Sequence, residues 1–236
     1  MQGRHSLEQI ARRFESLGGG SSGGWGFGCE FGFFQRHAGI EPLGLLRWAS
    51  IDVEDLIKAL DTEFSALNDL RALEMREHTG RDWGFVNTVH NIRWDHSNLP
   101  RSKITSEHAK HSLFRQLNFL KEKLLRDLKT AEKLFVYRVF DHVLTVGVLR
   151  RLARAVNRYG DNTLLYVTHS TSGHPPFSVE KVEKGLMIGY IDYFAPRFGG
   201  LDYNNYGWEA VCRAADELDS ALPVEPIGES KALEST

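Results

Sequence analysis

Cys29 is the residue of this chain best placed to do chemistry. It follows a glycine-rich stretch at 18–28 and opens the run CEFGFFQRHA at 29–38, whose pattern is helical. A thiol at a helix N-terminus feels the positive end of the helix dipole, which favours the thiolate, and a thiolate can form a thioester with an acyl group. Lone cysteines are more often buried structural residues, and the neighbouring carboxylate of Glu30 opposes ionisation. A nucleophilic and a structural Cys29 therefore both stay open.

A nucleophilic thiol needs a base, and the chain offers ten histidines. His96 follows a candidate strand and lies beside Asp95. His169 ends a predicted strand and Asp192 lies in the next one, so adjacent strands would bring a base and an orienting carboxylate together. Asn205 is a weaker orienting candidate, because its asparagine-rich segment first of all indicates a turn. Position alone leaves His96 and His169 as nearly equal candidates.

Other ligand-binding chemistry has little support in the sequence. His108 and His111 are neighbours on a predicted helix, but no further ligand accompanies them at an informative spacing, so we expect no metal. We also expect no cofactor, because the chain has neither a P-loop nor a dinucleotide-binding glycine motif. Four arginines of one predicted helix could meet phosphate, although such charges usually form a solvated face: Arg150, Arg151, Arg154 and Arg158.

The elements that must position these residues follow from hydrophobic periodicity and from breaker residues. Helices are predicted at 6–16, 29–38, 52–70, 106–129, 148–160 and 208–221. Strands are predicted at 133–138, 163–169 and 186–195, with a strand or hairpin arm at 83–94. The stretch 18–28 is predicted to be a mobile loop. The strand, helix and strand between 133 and 169 predict a parallel βαβ unit. The fold class is therefore α/β or α+β, with a mixed central sheet flanked by helices and one βαβ unit in the second half.

Length, composition and charge limit the number of domains and the classes of partner that we expect. The chain has 236 residues, 42% of them hydrophobic, and a net charge of −2. We expect one α/β domain over 1–222, rich in helix to about residue 131 and sheet-forming after it, with a disordered tail at 223–236. The balanced charge predicts no nucleic-acid partner. No long apolar stretch or secretory signal is visible, so we expect no membrane partner and a cytoplasmic location.

Several segments together resemble a known family. The run GCEFGFFQRHAGIEPLGLLRWAS at 28–50, the later WDHSNLP, KLFVYR and GLMIGYIDYFAP are similar to a bacterial family of predicted papain-like cysteine peptidases of unknown function. The resemblance implies that Cys29 is the nucleophile and that a downstream histidine is the base, in the order that papain-like enzymes use. It also implies a mainly antiparallel sheet, whereas the pattern of the second half predicts a parallel pair.

Two functions from different classes follow. The first is a papain-like cysteine hydrolase or acyl transferase, which acts on an amide or ester of a small or peptide-like substrate through Cys29 and a histidine. The alternative is a non-catalytic α/β module that binds a carbohydrate or a phosphorylated ligand, with Cys29 structural. Its aromatic candidates are Trp25, Trp48, Trp83 and Trp94. A partner-binding protein with a buried cysteine is a third reading. The oligomeric state is not predicted.

Overall fold

The computed structural model describes residues 5–20, 29–77, 81–194 and 203–220 of the chain. Its strands are β1 (Phe14–Gly20), β2 (Leu73–Glu77), β3 (Trp83–Asn87), β4 (Ile92–Trp94), β5 (Leu134–Val139), β6 (Thr163–His169), β7 (Val179–Glu183) and β8 (Leu186–Ile191). Its α-helices are α1 (Leu7–Arg12), α2 (Glu30–His37), α3 (Val53–Asp61), α4 (Ser106–Thr130), α5 (Val146–Asn157) and α6 (Asn205–Ser220). This content confirms the predicted mixed α/β class.

The central sheet has the strand order β1-β5-β6-β8-β7. Strands β1, β5, β6 and β8 are parallel, and β7 pairs antiparallel with β8 at one side. The predicted βαβ unit is confirmed as β5, α5 and β6. The parallel strands end together at Gly20, Val139, His169 and Ile191, and we call this end of the sheet the carboxyl edge. The sheet differs from the mainly antiparallel one that the family resemblance implies.

Helices cover both faces of the central sheet. Along β6, Leu164 and Tyr166 pack into one apolar cluster, while Leu165 and Val167 pack into another, as the alternation of side chains on a strand requires. The first cluster contains residues of α3, α4, α5 and the strands β2 to β4. The second contains residues of α1, α2 and α6. The sheet is therefore buried on both sides, which is the usual environment of parallel strands.

The start of the chain differs from the prediction. The helix expected at 6–16 ends at Arg12, and the next residues form β1 up to Gly20, so the predicted loop is wrong over Gly18–Gly20. This strand is buried along its whole length beside β5. Its glycines allow this packing but give no strand pattern in the sequence. Gly18 has φ +81°, and a Cβ there would lie 3.0 Å from the carbonyl oxygen of Ala49. Residues 21–28 of the predicted loop, including Trp25, lie outside the described residues.

The helix predicted at 52–70 is also shorter than expected. It ends at Asp61 because Glu63 and Phe64 both adopt left-handed backbone conformations, and two short 3-10 turns follow. The hairpin arm predicted at 83–94 is confirmed as β3 and β4. Strand β2 was not predicted; it pairs antiparallel with β3 and completes a small sheet of the described residues.

The second half follows the prediction more closely. Helix α4 begins after Thr105, whose hydroxyl accepts a hydrogen bond from the His108 amide. The strand predicted at 186–195 ends at Ile191, β7 was missed, and the last helix begins at Asn205 rather than at 208. The predicted tail at 223–236 lies outside the described residues. Among the described helices, none combines the length and apolar character needed to span a membrane.

Candidate functional site

The carboxyl edge gathers several of the residues that could do chemistry. Ligands of open α/β sheets usually bind in the crevice outside the carboxyl ends of the strands. Helix α2 begins near this edge, directly after Cys29, and Arg138 lies one residue before the end of β5. Burial raises the pKa of Cys29, which the charge of Arg138 lowers, and burial lowers the pKa of Arg138, which the charge of Cys29 raises. The two side chains therefore lie within electrostatic range of each other, and the region around them is the candidate site.

Cys29 occupies the position before the first residue of α2, as predicted. Its carbonyl oxygen accepts the Phe33 amide, while its side chain makes no capping hydrogen bond. The residue is partly exposed, yet protein surrounds the thiol closely enough that burial raises its pKa to about 11. The charge of Arg138 lowers the pKa and that of Asp95 raises it. Burial outweighs the arginine, so the thiol is protonated at neutral pH.

Arg138 is the least expected member of the site. Its side chain is only 4% exposed, and its Nη2 lies 3.8 Å from Oε2 of the buried Glu30. Its guanidinium carbon lies 5.1 Å from the centre of the Phe194 ring, within reach of a cation–π interaction. Burial lowers the pKa of Arg138, and the charges of Glu30 and Cys29 oppose that effect. The signal in the sequence was an arginine at the end of the apolar run LFVY.

His169 lies at the carboxyl edge, on the same face of the sheet as Arg138. Arg138 is paired with Val167 in the register of β5 and β6, and His169 is two residues further along the strand. Its ring meets Phe194 edge-on, with the ring centres 4.7 Å apart. Phe194 thus contacts both the histidine and the arginine.

His96 lies elsewhere, after β4. It is exposed and lines a cavity of about 80 Å³ together with Trp48, Trp94 and Gln116. The charge of its neighbour Asp95 is one of those that shift the pKa of Cys29. Among the described residues, no hydrogen bond joins the Cys29 thiol to His96 or His169. The described residues therefore show no hydrogen-bonded pair of this thiol and a histidine.

Asp192 follows β8, and its hydrogen-bond donors among the described residues are Asn204 and Tyr193 rather than a histidine. Its Oδ1 accepts hydrogen bonds from Asn204 Nδ2 at 2.6 Å and from the Tyr193 amide at 3.0 Å. Asn204 also accepts the Gly207 amide, so it links Asp192 to the first turn of α6. The neighbouring Asn205, predicted as a weak candidate, begins this helix. The structure brings Asp192 into a structural hydrogen-bond network.

An aromatic group continues the site along α2. Phe33, one helical turn after Cys29, stacks on Tyr203 with ring centres 4.1 Å apart and meets Trp48 edge-on at 5.2 Å. Burial raises the pKa of Tyr203 and the charge of Cys29 raises it further, so this group lies within electrostatic range of the thiol. Most of these ring faces already contact each other, which is typical of packing.

The remaining candidates lie away from the carboxyl edge. Arg151 of α5 and Arg158, which follows α5, face α3 and pair with Glu54 and Asp61, whereas Arg150 pairs with Glu183 of β7. An open groove of about 550 Å³ is lined by Arg151, Arg154 and Arg158. Within the described part of the chain, no three acidic, histidine or cysteine side chains are arranged to hold a metal ion.

Comparisons of the chain with protein-family models, with curated protein sequences and with solved structures gave no significant match.

Proposed function

We propose that this chain binds a small ligand at the carboxyl edge, in contact with Cys29 and Arg138. The observation that supports the proposal is that a thiol on a partly exposed residue, a buried arginine and a histidine lie at the carboxyl end of a parallel sheet. This is where α/β proteins usually bind ligands. The raised pKa of Cys29 favours binding without covalent chemistry, because a thiol that is protonated at neutral pH is a poor nucleophile.

A ligand-observed NMR screen of neutral and charged fragments tests this proposal. The screen compares the untreated protein with protein whose Cys29 has been blocked by iodoacetamide at high pH. Cys212 is fully buried and serves as the internal control for selective modification. We expect a set of fragments to lose their signal after blocking. Fragments that bind equally well before and after blocking would place the ligand elsewhere.

A cysteine hydrolase or acyl transferase is the second candidate, and the thiol beside Arg138 favours it. In this reaction the thiolate attacks the carbonyl carbon of an amide or ester, the leaving group departs with a proton, and water hydrolyses the thioester. Arg138 and the first turn of α2 would stabilise the negative oxygen of the intermediate. The thiol proton would have to pass to His96 or His169, either after a movement or through water.

Acylation by p-nitrophenyl acetate tests this second candidate. We expect a burst of p-nitrophenolate, equal to one acyl group per chain, that is lost in Cys29→Ala. Loss of the burst in either His96→Ala or His169→Ala would identify the base, and the exposed His37 provides the control variant His37→Ala. A burst that survives in Cys29→Ala would overturn the thiol mechanism.

A further inference from the structure

The guanidinium group of Arg138 is buried and forms no hydrogen bond with the described residues. It is 96% buried as a side chain, its Nε is inaccessible and unbonded, and it donates no hydrogen bond to any of the described residues. Removing an ionised group from water costs several kcal/mol unless close partners replace the water. At 3.8 Å, the Glu30 oxygen is beyond hydrogen-bond distance, so it compensates the charge but does not satisfy the donors.

Arg47 shows how the same chain treats another buried arginine. Arg47 is 3% exposed, as Arg138 is, yet it donates to the carboxylate of Glu41 at 2.6 Å and to the carbonyl oxygens of Pro42 and Gly32. These bonds tie Arg47 into the loop that follows α2. Arg138 has no comparable set of acceptors within the described residues. The donors of Arg138 are therefore open, as far as the described residues go, to acceptors on a bound molecule.

We propose that Arg138 recognises a carboxylate group of the ligand, held between its guanidinium and the first turn of α2. This inference rests on the proposed function and names the chemical class of its ligand. A guanidinium donates two parallel N–H groups to a carboxylate. The first turn of a helix presents amides that have no partner within the helix, and the helix dipole favours a negative group there. The ring of Phe194 lies against the guanidinium and lowers its contact with water on that side.

The surrounding charges favour a single negative charge on the ligand. The carboxylate of Glu30 already lies beside Arg138, and the charge of Asp95 acts on the adjacent Cys29. Because like charges at this range repel, a dianionic phosphate monoester is less well accommodated than a carboxylate. Among oxyanions we therefore expect acetate to bind more tightly than inorganic phosphate.

Thermal unfolding in increasing sodium acetate tests this inference, with sodium phosphate and sodium chloride at equal ionic strength as the comparisons. For the wild type we expect a saturable increase of Tm in acetate that chloride does not reproduce. Arg138→Met should weaken acetate about tenfold or more, since it removes charge-assisted hydrogen bonds. Arg138→Lys should weaken acetate less. Arg154→Met, which removes an exposed arginine of α5, is the control and should leave acetate affinity unchanged.

Glu30→Gln keeps the inference testable where the Arg138 variants do not fold. Removing this carboxylate should tighten acetate about threefold, because the competing negative charge is gone. An acetate effect of equal size in wild type and both Arg138 variants, or no acetate-specific effect in wild type and Glu30→Gln, would overturn the inference. Tighter binding of phosphate than of acetate would overturn the choice of a carboxylate. In each of these cases, neutral fragments that lose binding when Cys29 is alkylated would still support the proposed function.

Discussion

Asn204 donates a hydrogen bond of 2.6 Å to the carboxylate of Asp192, and this contact joins the end of β8 to the start of α6. The same amide group donates to the carbonyl oxygen of Tyr193 at 2.7 Å, while its oxygen accepts the Gly207 amide. Asn204 is only 4% exposed, so each of these bonds replaces one to water. The contact also fixes the chain just before Phe194, which covers Arg138.

Replacing Asn204 by alanine should therefore destabilise the fold. We expect Asn204→Ala to lower the free energy of unfolding by about 2–3 kcal/mol, since it removes a helix cap and the two buried hydrogen bonds that the Asn204 amide donates to Asp192 and to the Tyr193 carbonyl. Urea denaturation measures the change. Gln116→Ala, which removes an exposed amide from α4, is the matched control and should change stability by less than about 0.5 kcal/mol. Equal losses in the two variants would contradict the role of Asn204.

The sequence predicted secondary structure best where local signals agree with tertiary packing. Helix α4 has leucines at three- and four-residue intervals and a threonine cap, and the structure confirms it over its length. Strand β1 was missed because Gly18–Gly20 carry no side chains, so the hydrophobic pattern that identifies a strand is absent there. Pairing with β5, which is distant in sequence, is what makes these glycines a strand.

The residues of the candidate site were likewise predicted only where the sequence signal is local. The position of Cys29 before a helix could be predicted, because the helical pattern of 29–38 is local. The burial of Arg138 at this edge could not be predicted, since it depends on the packing of β1, β6 and α2 around the end of β5. The placement of Asp192 beside Asn204 rather than a histidine depends on the entry of the chain into α6, which has no local signature.

The reactivity of Cys29 should increase up to strongly alkaline pH. With a pKa of about 11, the thiolate fraction keeps rising through pH 9 and 10, so alkylation by iodoacetamide should be slow at pH 7 and accelerate about tenfold per pH unit. Asp95→Asn removes a charge that raises this pKa and should speed alkylation at pH 8 by about two- to fivefold. Asp161→Asn, at an exposed position in an ion pair with Lys184, should leave the rate unchanged. A rate that levels off below pH 8.5 would contradict the raised pKa.

His90 should make the fold sensitive to mild acid. It is 4% exposed, its Nε2 has no hydrogen-bond partner among the described residues, and burial lowers its pKa below the usual 6.5, an effect that the charge of Asp55 only partly offsets. Because the unfolded chain takes up a proton near pH 6.5 and the folded chain does so only at lower pH, its neutral form stabilises the fold above that value. The free energy of unfolding should fall by up to about 1.4 kcal/mol per pH unit between the two pKa values.

A variant separates this effect from the titration of other groups. His90→Phe keeps a ring against Phe64 and should flatten the dependence of stability on pH between 6.5 and 5, as urea denaturation at several pH values would measure. His37→Gln, at an exposed position, should retain the slope of the wild type. The same slope in His90→Phe and wild type would mean that other groups cause the loss.

Asn162 connects the ends of two helices, and its replacement should be among the costlier single changes. Its Nδ2 donates to the carbonyl oxygens of Leu128 at 2.9 Å, Val156 at 3.1 Å and Gly160 at 3.2 Å, so it satisfies acceptors near the ends of both α4 and α5. Asn162→Asp replaces the donor by a negatively charged acceptor that faces three carbonyl oxygens. We expect a loss of about 3–5 kcal/mol in the free energy of unfolding, against about 2–3 kcal/mol for Asn162→Ala. Asn98→Asp, at an exposed position, makes the same chemical change and should cost less than about 0.5 kcal/mol. An aspartate at 162 that is no more costly than the alanine would mean that the carbonyl oxygens have other donors.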